Sequence, residues 1–173
     1  IVVGSRVAPY VGPFVYNDPE KVTLLGLGDT KPRLTSGGVS TALQLLGNPA
    51  SKVQNFKIDV PLMNNSQALN WTGLAEDLEI SYAGADLGVR GVLAAPGATL
   101  RNSTIDIDNT GSPGYGAGVE ATFATGLGVA LDNVTISGDA GAGVRVASAD
   151  VQVSITRSTI TAGLSAVRAS GVS

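Results

Sequence analysis

The residues of this 173-residue chain best placed to act together chemically are Arg90, Glu120, Arg145 and Arg168. Each follows an apolar residue in a short recurring unit: Ala42-Leu43-Gln44-Leu45, Ala68-Leu69-Asn70-Trp71, Gly88-Val89-Arg90-Gly91, Gly118-Val119-Glu120-Ala121, Gly143-Val144-Arg145-Val146 and Ala166-Val167-Arg168-Ala169. The central apolar residue returns after 26, 20, 30, 25 and 23 residues. If it points inward in every unit, the next residue points outward. Gln44, Asn70, Arg90, Glu120, Arg145 and Arg168 then form one exposed column, with neighbours ~5 Å apart. Such a column is either a cationic strip able to hold an acidic polymer or a ladder of cross-strand charge pairs, each contributing roughly 0.2–1 kcal/mol.

The elements that must carry this column announce themselves in a second ladder. Val53-Gln-Asn-Phe-Lys-Ile58, Ala75-Glu-Asp-Leu-Glu-Ile80, Leu100-Arg-Asn-Ser-Thr-Ile105, Leu131-Asp-Asn-Val-Thr-Ile136 and Ile155-Thr-Arg-Ser-Thr-Ile160 close on an isoleucine that recurs after 22, 25, 31 and 24 residues. Phe56, Ile58 and Val60 alternate with Lys57 and Asp59, which is the period of a strand and not of a helix. Turn chemistry such as Asn109-Thr-Gly-Ser-Pro-Gly114 separates the ladders. A repeat of two or three short strands cannot bury its apolar face alone, but stacked coils can. The chain is therefore expected to be all-β, a right-handed parallel β-helix of about six coils forming a single domain over 1–173.

Composition narrows the chemistry. Charged residues make up 14% of the chain, a low share that suits a solenoid wetted by Ser, Thr and Asn. Cysteine and histidine are absent, which excludes disulfides, thiol nucleophiles, histidine bases and the common zinc sites. The net charge of -3 with no basic run argues against nucleic acid. No apolar run approaches the ~20 residues of a membrane-spanning helix. Trp71 and Tyr82 fall in inward register, leaving Tyr115 of the 109–118 loop as the candidate exposed aromatic for a sugar ring. Arg168 and Asn70 are the further candidates for ligand contact.

The Leu-x-Asn-x-x-Ile pattern followed by Gly-Val-x resembles the pectate-lyase-like superfamily of bacterial parallel β-helices. That resemblance extends to the opening Val2-Val3-Gly4, Tyr10, Gly12-Pro13-Phe14 and Val22-Thr23-Leu24. It implies an asparagine ladder, here Asn55, Asp77, Asn102, Asn133 and Arg157, and so interrupted twice. For a polysaccharide lyase it implies Arg145 or Arg90 as base beside Glu120, and calcium held by clustered carboxylates. Asp106 and Asp108 are the metal candidates, ~7 Å apart on one strand, with Asp59 two ladder steps from Asp106. Calcium wants six to eight oxygens, more than these residues supply without the 109–118 loop. The galacturonan hydrolases rely on a Gly-His-Gly motif that is missing. The preferred expectation is a non-catalytic module of an extracellular or cell-surface protein: a stalk, an adhesin or a contact for polysaccharide or cell-envelope glycan, needing no cofactor. The alternative is a polysaccharide lyase or other carbohydrate-active enzyme acting on an acidic polysaccharide, which requires Arg145, Glu120 and Asp106 to line one groove. Both ends are expected to continue a longer protein, and open coil ends offer edges for self-association.

Overall fold

The computed structural model describes residues 1–111, 116–122, 128–148 and 150–169. It is an all-β solenoid of parallel strands stacked in about six turns, with no helix among the described residues. One sheet runs in the order β1 (Val2–Gly4), β4 (Thr23–Leu27), β7 (Lys52–Asp59), β9 (Leu74–Gly84), β11 (Thr99–Asn109), β13 (Val129–Gly138) and β15 (Val153–Thr156). Short strands β2 (Tyr10–Val11), β5 (Arg33–Thr35) and β16 (Thr159–Ile160) extend it. The second sheet runs from β3 (Phe14–Tyr16) through β6 (Thr41–Leu45), β8 (Gln67–Trp71), β10 (Arg90–Ala94), β12 (Ala117–Ala121) and β14 (Ala142–Val146) to β17 (Ser165–Ala169). The chain visits the sheets alternately, so residues some two dozen apart become hydrogen-bonded neighbours.

The isoleucine ladder is real and in register: Ile58 pairs with Ile80, Ile80 with Ile105, Ile105 with Ile136, and Ile136 with Ile160. Along each long strand the inward phase slips once. Val53 and Phe56, Ala75 and Leu78, Leu100 and Ser103, Leu131 and Val134 are all buried although three residues apart. The residue between them that causes the slip is left-handed in each coil from β7 onward: Asn55, Asp77, Asn102, Asn133 and Arg157 have φ of 61°, 55°, 50°, 54° and 50°. The interrupted asparagine column is thus a continuous column of corners. Asn tolerates this conformation because its short polar side chain bonds locally, whereas an ordinary L-residue is disfavoured there. The side chains also stack, Asn133 Nδ2 donating to Asn102 Oδ1 at 2.9 Å and Asn55 Nδ2 to the Gly26 carbonyl at 2.9 Å. This geometry accounts for the Asn-x-Thr sequences at 102 and 133 without a glycan.

Just past the corner, serine replaces the apolar residue in two of these five coils. Ser103 Oγ accepts from Leu78 N at 3.0 Å, and Ser158 Oγ accepts from Val134 N at 3.0 Å. Each thereby satisfies a backbone donor that the corner removes from the ladder. The backbone requirement yields a test. Asn133→Val should cost about 1–2 kcal/mol, the penalty of forcing a β-branched residue left-handed, while Asn133→Gly should cost much less despite losing the stacked amide. Urea denaturation of the pair decides it, and equal losses would mean that the amide stack, not the backbone, governs the corner.

Candidate functional site

Glu120, on β12, is the most buried acidic side chain of the second sheet, with only 5% of its surface exposed. Both expected arginines reach it. Arg90 Nε donates to Glu120 Oε2 at 2.8 Å, and an Nη of Arg145 donates to the same oxygen. Arg145 stands one ladder step from Glu120 on β14, and Arg168 one step further on β17. Burial holds Arg145 below the usual guanidinium range, helped by repulsion from Arg90 and Arg168; burial alone does the same to Arg90. Arg145 Nε is buried and has no hydrogen-bond partner among the described residues. Beside the pair lies a hollow of about 460 Å³ lined by Asn65, Leu87, Gly88, Arg90 and Arg145.

The expected column needs one correction. Gln44, Asn70, Glu120, Arg145 and Arg168 do share it, but the residue between Asn70 and Glu120 is Leu93, not Arg90. Arg90 opens β10 three residues earlier, paired with Gln67 and Ala117, and its long side chain spans the offset to Glu120. Gly88-Val89 mimics the repeat, yet Gly91-Val92 occupies the strand position. With Val92 the spacings become 26, 23, 27, 25 and 23, a more even series that the sequence already contained. Asn70 is half-buried in the column and Arg168 is exposed. Tyr115 lies outside the described residues.

The acidic candidates sit elsewhere. Asp59, Ser81, Asp106 and Ser137 form one column on the first sheet. Asp106 and Asp108 line a groove of about 700 Å³ with Arg33, Asp59, Ser81 and Tyr82, walled by Leu62 and Met63. Arg33 Nε donates to Asp59 Oδ2 at 2.6 Å, and Ser137 Oγ to Asp106 Oδ1 at 2.8 Å. Tyr82 is buried, its hydroxyl donating to Asp86 at 2.9 Å. Asp106 therefore belongs to one sheet while Arg145 and Glu120 belong to the other, so the three do not line a common groove. Among the described residues no group of three or more acidic side chains is placed to hold a metal ion.

Sequence reasoning missed most of the charge network. Lys31, in the loop before β5, bonds Asp77 at 2.9 Å and Glu79 at 3.2 Å. Lys57 shares register with Glu79, but Lys31 is the cation that pairs with it. Glu76 is clamped between Lys52 at 2.9 Å and Arg101 at 2.8 Å. Hydrogen bonds from these two, Lys52 first, hold its carboxyl below the ordinary value of 4.5. A depressed folded-state pKa gives stability that is present above the unfolded value and lost as pH falls through the folded one. The difference in melting temperature between the wild type and Glu76→Gln should therefore be largest near neutrality and shrink into strong acid. A difference that does not change with pH would remove the clamp as its cause.

Comparison with known proteins finds no matching family model, no matching curated protein and no matching solved structure.

Proposed function

We propose that the chain is a non-catalytic β-solenoid module of a bacterial extracellular or cell-surface protein, of the pectate-lyase-like kind, that contacts a glycan. The observation that carries this reading is the first-sheet groove. It combines carboxylate and hydroxyl acceptors (Asp59, Ser81, Asp106, Asp108) with apolar walls from Leu62 and Met63, the mixture that receives sugar hydroxyls and ring faces. Its positive charge, Arg33, is already engaged by Asp59. The groove thus suits neutral or amino sugars better than uronates. The non-catalytic part of the reading is supported by the engagement of both candidate bases with the same carboxylate oxygen.

The test is binding of the purified chain to neutral, amino-sugar and uronate oligosaccharides by calorimetry, together with a search for chain shortening. Neutral or amino-sugar oligomers should bind, and the Asp106→Asn, Asp108→Asn double variant should weaken them about tenfold, equivalent to ~1.4 kcal/mol. Binding that survives the double variant would remove the groove from the proposal. The lyase alternative needs Arg145, Glu120 and Asp106 in one groove, and these residues lie on different sheets. It predicts unsaturated products from a polyuronate, visible by ultraviolet absorbance and lost in Arg145→Lys. Such products would overturn the non-catalytic reading.

A further inference from the structure

We propose that the hollow beside Arg90 and Arg145 on the second sheet binds a single oxyanion group, a carboxylate, sulfate or phosphate carried on a larger ligand. The proposal is independent of the first-sheet groove and stands or falls without it.

Positive charge outnumbers negative charge around the hollow. The side chains of Arg90 and Arg145 retain 19% and 21% of their exposure, and Glu120 retains 6%. Two largely buried guanidiniums thus face one carboxylate, leaving a surplus positive charge where solvent screens it weakly. Arg168, the next rung of the same column, adds to that surplus. Among the described residues no other acidic side chain pairs with any of the three. Both arginines also converge on Glu120 Oε2, so their hydrogen-bonding capacity is only partly used. A guanidinium carries five N–H donors, and each of these two gives one to Glu120.

The side chains of both arginines line the hollow. Asn65 and Gly88 form part of its wall, and the Leu87 face is apolar. A volume of about 460 Å³ accommodates an oxyanion and the sugar or other small group that bears it. A guanidinium presents a planar fork that matches carboxylate, sulfate and phosphate oxygens. Glu120 then has a defined role: it is the resident anion that holds both arginines in place and competes with the ligand for them.

That competition provides a test with opposite signs in two variants. Thermal unfolding and calorimetry are carried out with sodium sulfate, phosphate and galacturonate against sodium chloride at matched ionic strength. The wild-type chain should be stabilised by at least one of the three beyond chloride. Glu120→Gln, which removes the competing carboxylate, should bind that anion several-fold more tightly. Arg168→Gln, an exposed change that leaves the buried pair intact, should bind it a few-fold more weakly. The preference among the three anions identifies the bearer as a sulfated, phosphorylated or uronate ligand. Stabilisation no greater than in chloride, or an affinity unchanged in Glu120→Gln with the fold retained by circular dichroism, would overturn the proposal.

Discussion

Gly118→Val is expected to lower the stability of the solenoid by about 3 kcal/mol or more, at the upper end of the cost of overpacking a core. For a chain of this size that corresponds to a fall in melting temperature of roughly 6–12 °C. The reason lies in how the two ladders meet. Gly91, Gly118 and Gly143 occupy one column of the second sheet, and a Cβ at each would run into Cγ2 of Ile105, Ile136 and Ile160 respectively. At Gly118 it would also stand 2.8 Å from the carbonyl oxygen of Gly143 in the next coil. The glycines therefore let one sheet's backbone lie directly on the other sheet's isoleucines. A branched side chain must push aside either a fully buried isoleucine or a strand backbone that is hydrogen-bonded on both sides. Ile136→Ala in the Gly118→Val background should recover part of the loss, because it vacates the volume that valine needs, although alone it leaves a cavity and costs about 2–5 kcal/mol. Urea denaturation of the four-member cycle measures this coupling. Additive losses would mean that the sheets do not touch at this point.

That contact explains how much of the molecule was legible beforehand. Both ladders could be read because stacking demands the same residue type at the same place in every coil. Ile58, Ile80, Ile105, Ile136 and Ile160 repeat for that reason, and the Asn, Asp and Arg column marks the corner even where asparagine is replaced. The first two coils were harder. Leu24 and Leu34 pair with Val53 and Ile58, but they are ten residues apart where the latter are five, because a loop through Gly28 replaces the single corner residue. Arg90 was misplaced because two Gly-Val pairs fall within five residues and alternation alone does not choose between them.

The candidate sites were only half legible. The link between Glu120 and its arginines was visible because neighbouring rungs fix it, and even the register error at Arg90 was absorbed by a long side chain. The first-sheet groove was not visible. Its walls come from the turns at 35–38 and 60–63, whose paths are set by loop geometry and not by the repeat. Lys31 was missed for the same reason, since it reaches Asp77 across 46 residues of sequence from a loop. Repeats report the column a residue occupies; they do not report what a loop brings over it.

Trp71→Ala should be at least as damaging as the change at Gly118, costing about 3–5 kcal/mol as expected for deleting a fully buried aromatic. Trp71 has no exposed surface and follows Leu45 in its column, with Ala94 and Ala121 in the next two coils. Its bulk thus sits where the column narrows from large residues to alanines, and the alanines beyond it are too small to fill the space it would leave. The indole carries a cost of its own, because its Nε1 is buried with no hydrogen-bond partner among the described residues. An unsatisfied buried donor costs about 1–3 kcal/mol. Trp71→Phe removes that donor while keeping most of the apolar volume, so its loss of packing is offset and the net change should stay within about 1.5 kcal/mol. Circular dichroism during urea unfolding measures both variants, since the sole tryptophan and its fluorescence are gone in each. A phenylalanine variant as unstable as the alanine variant would show that the indole N–H is satisfied in solution, and that it specifies the packing here as much as volume does.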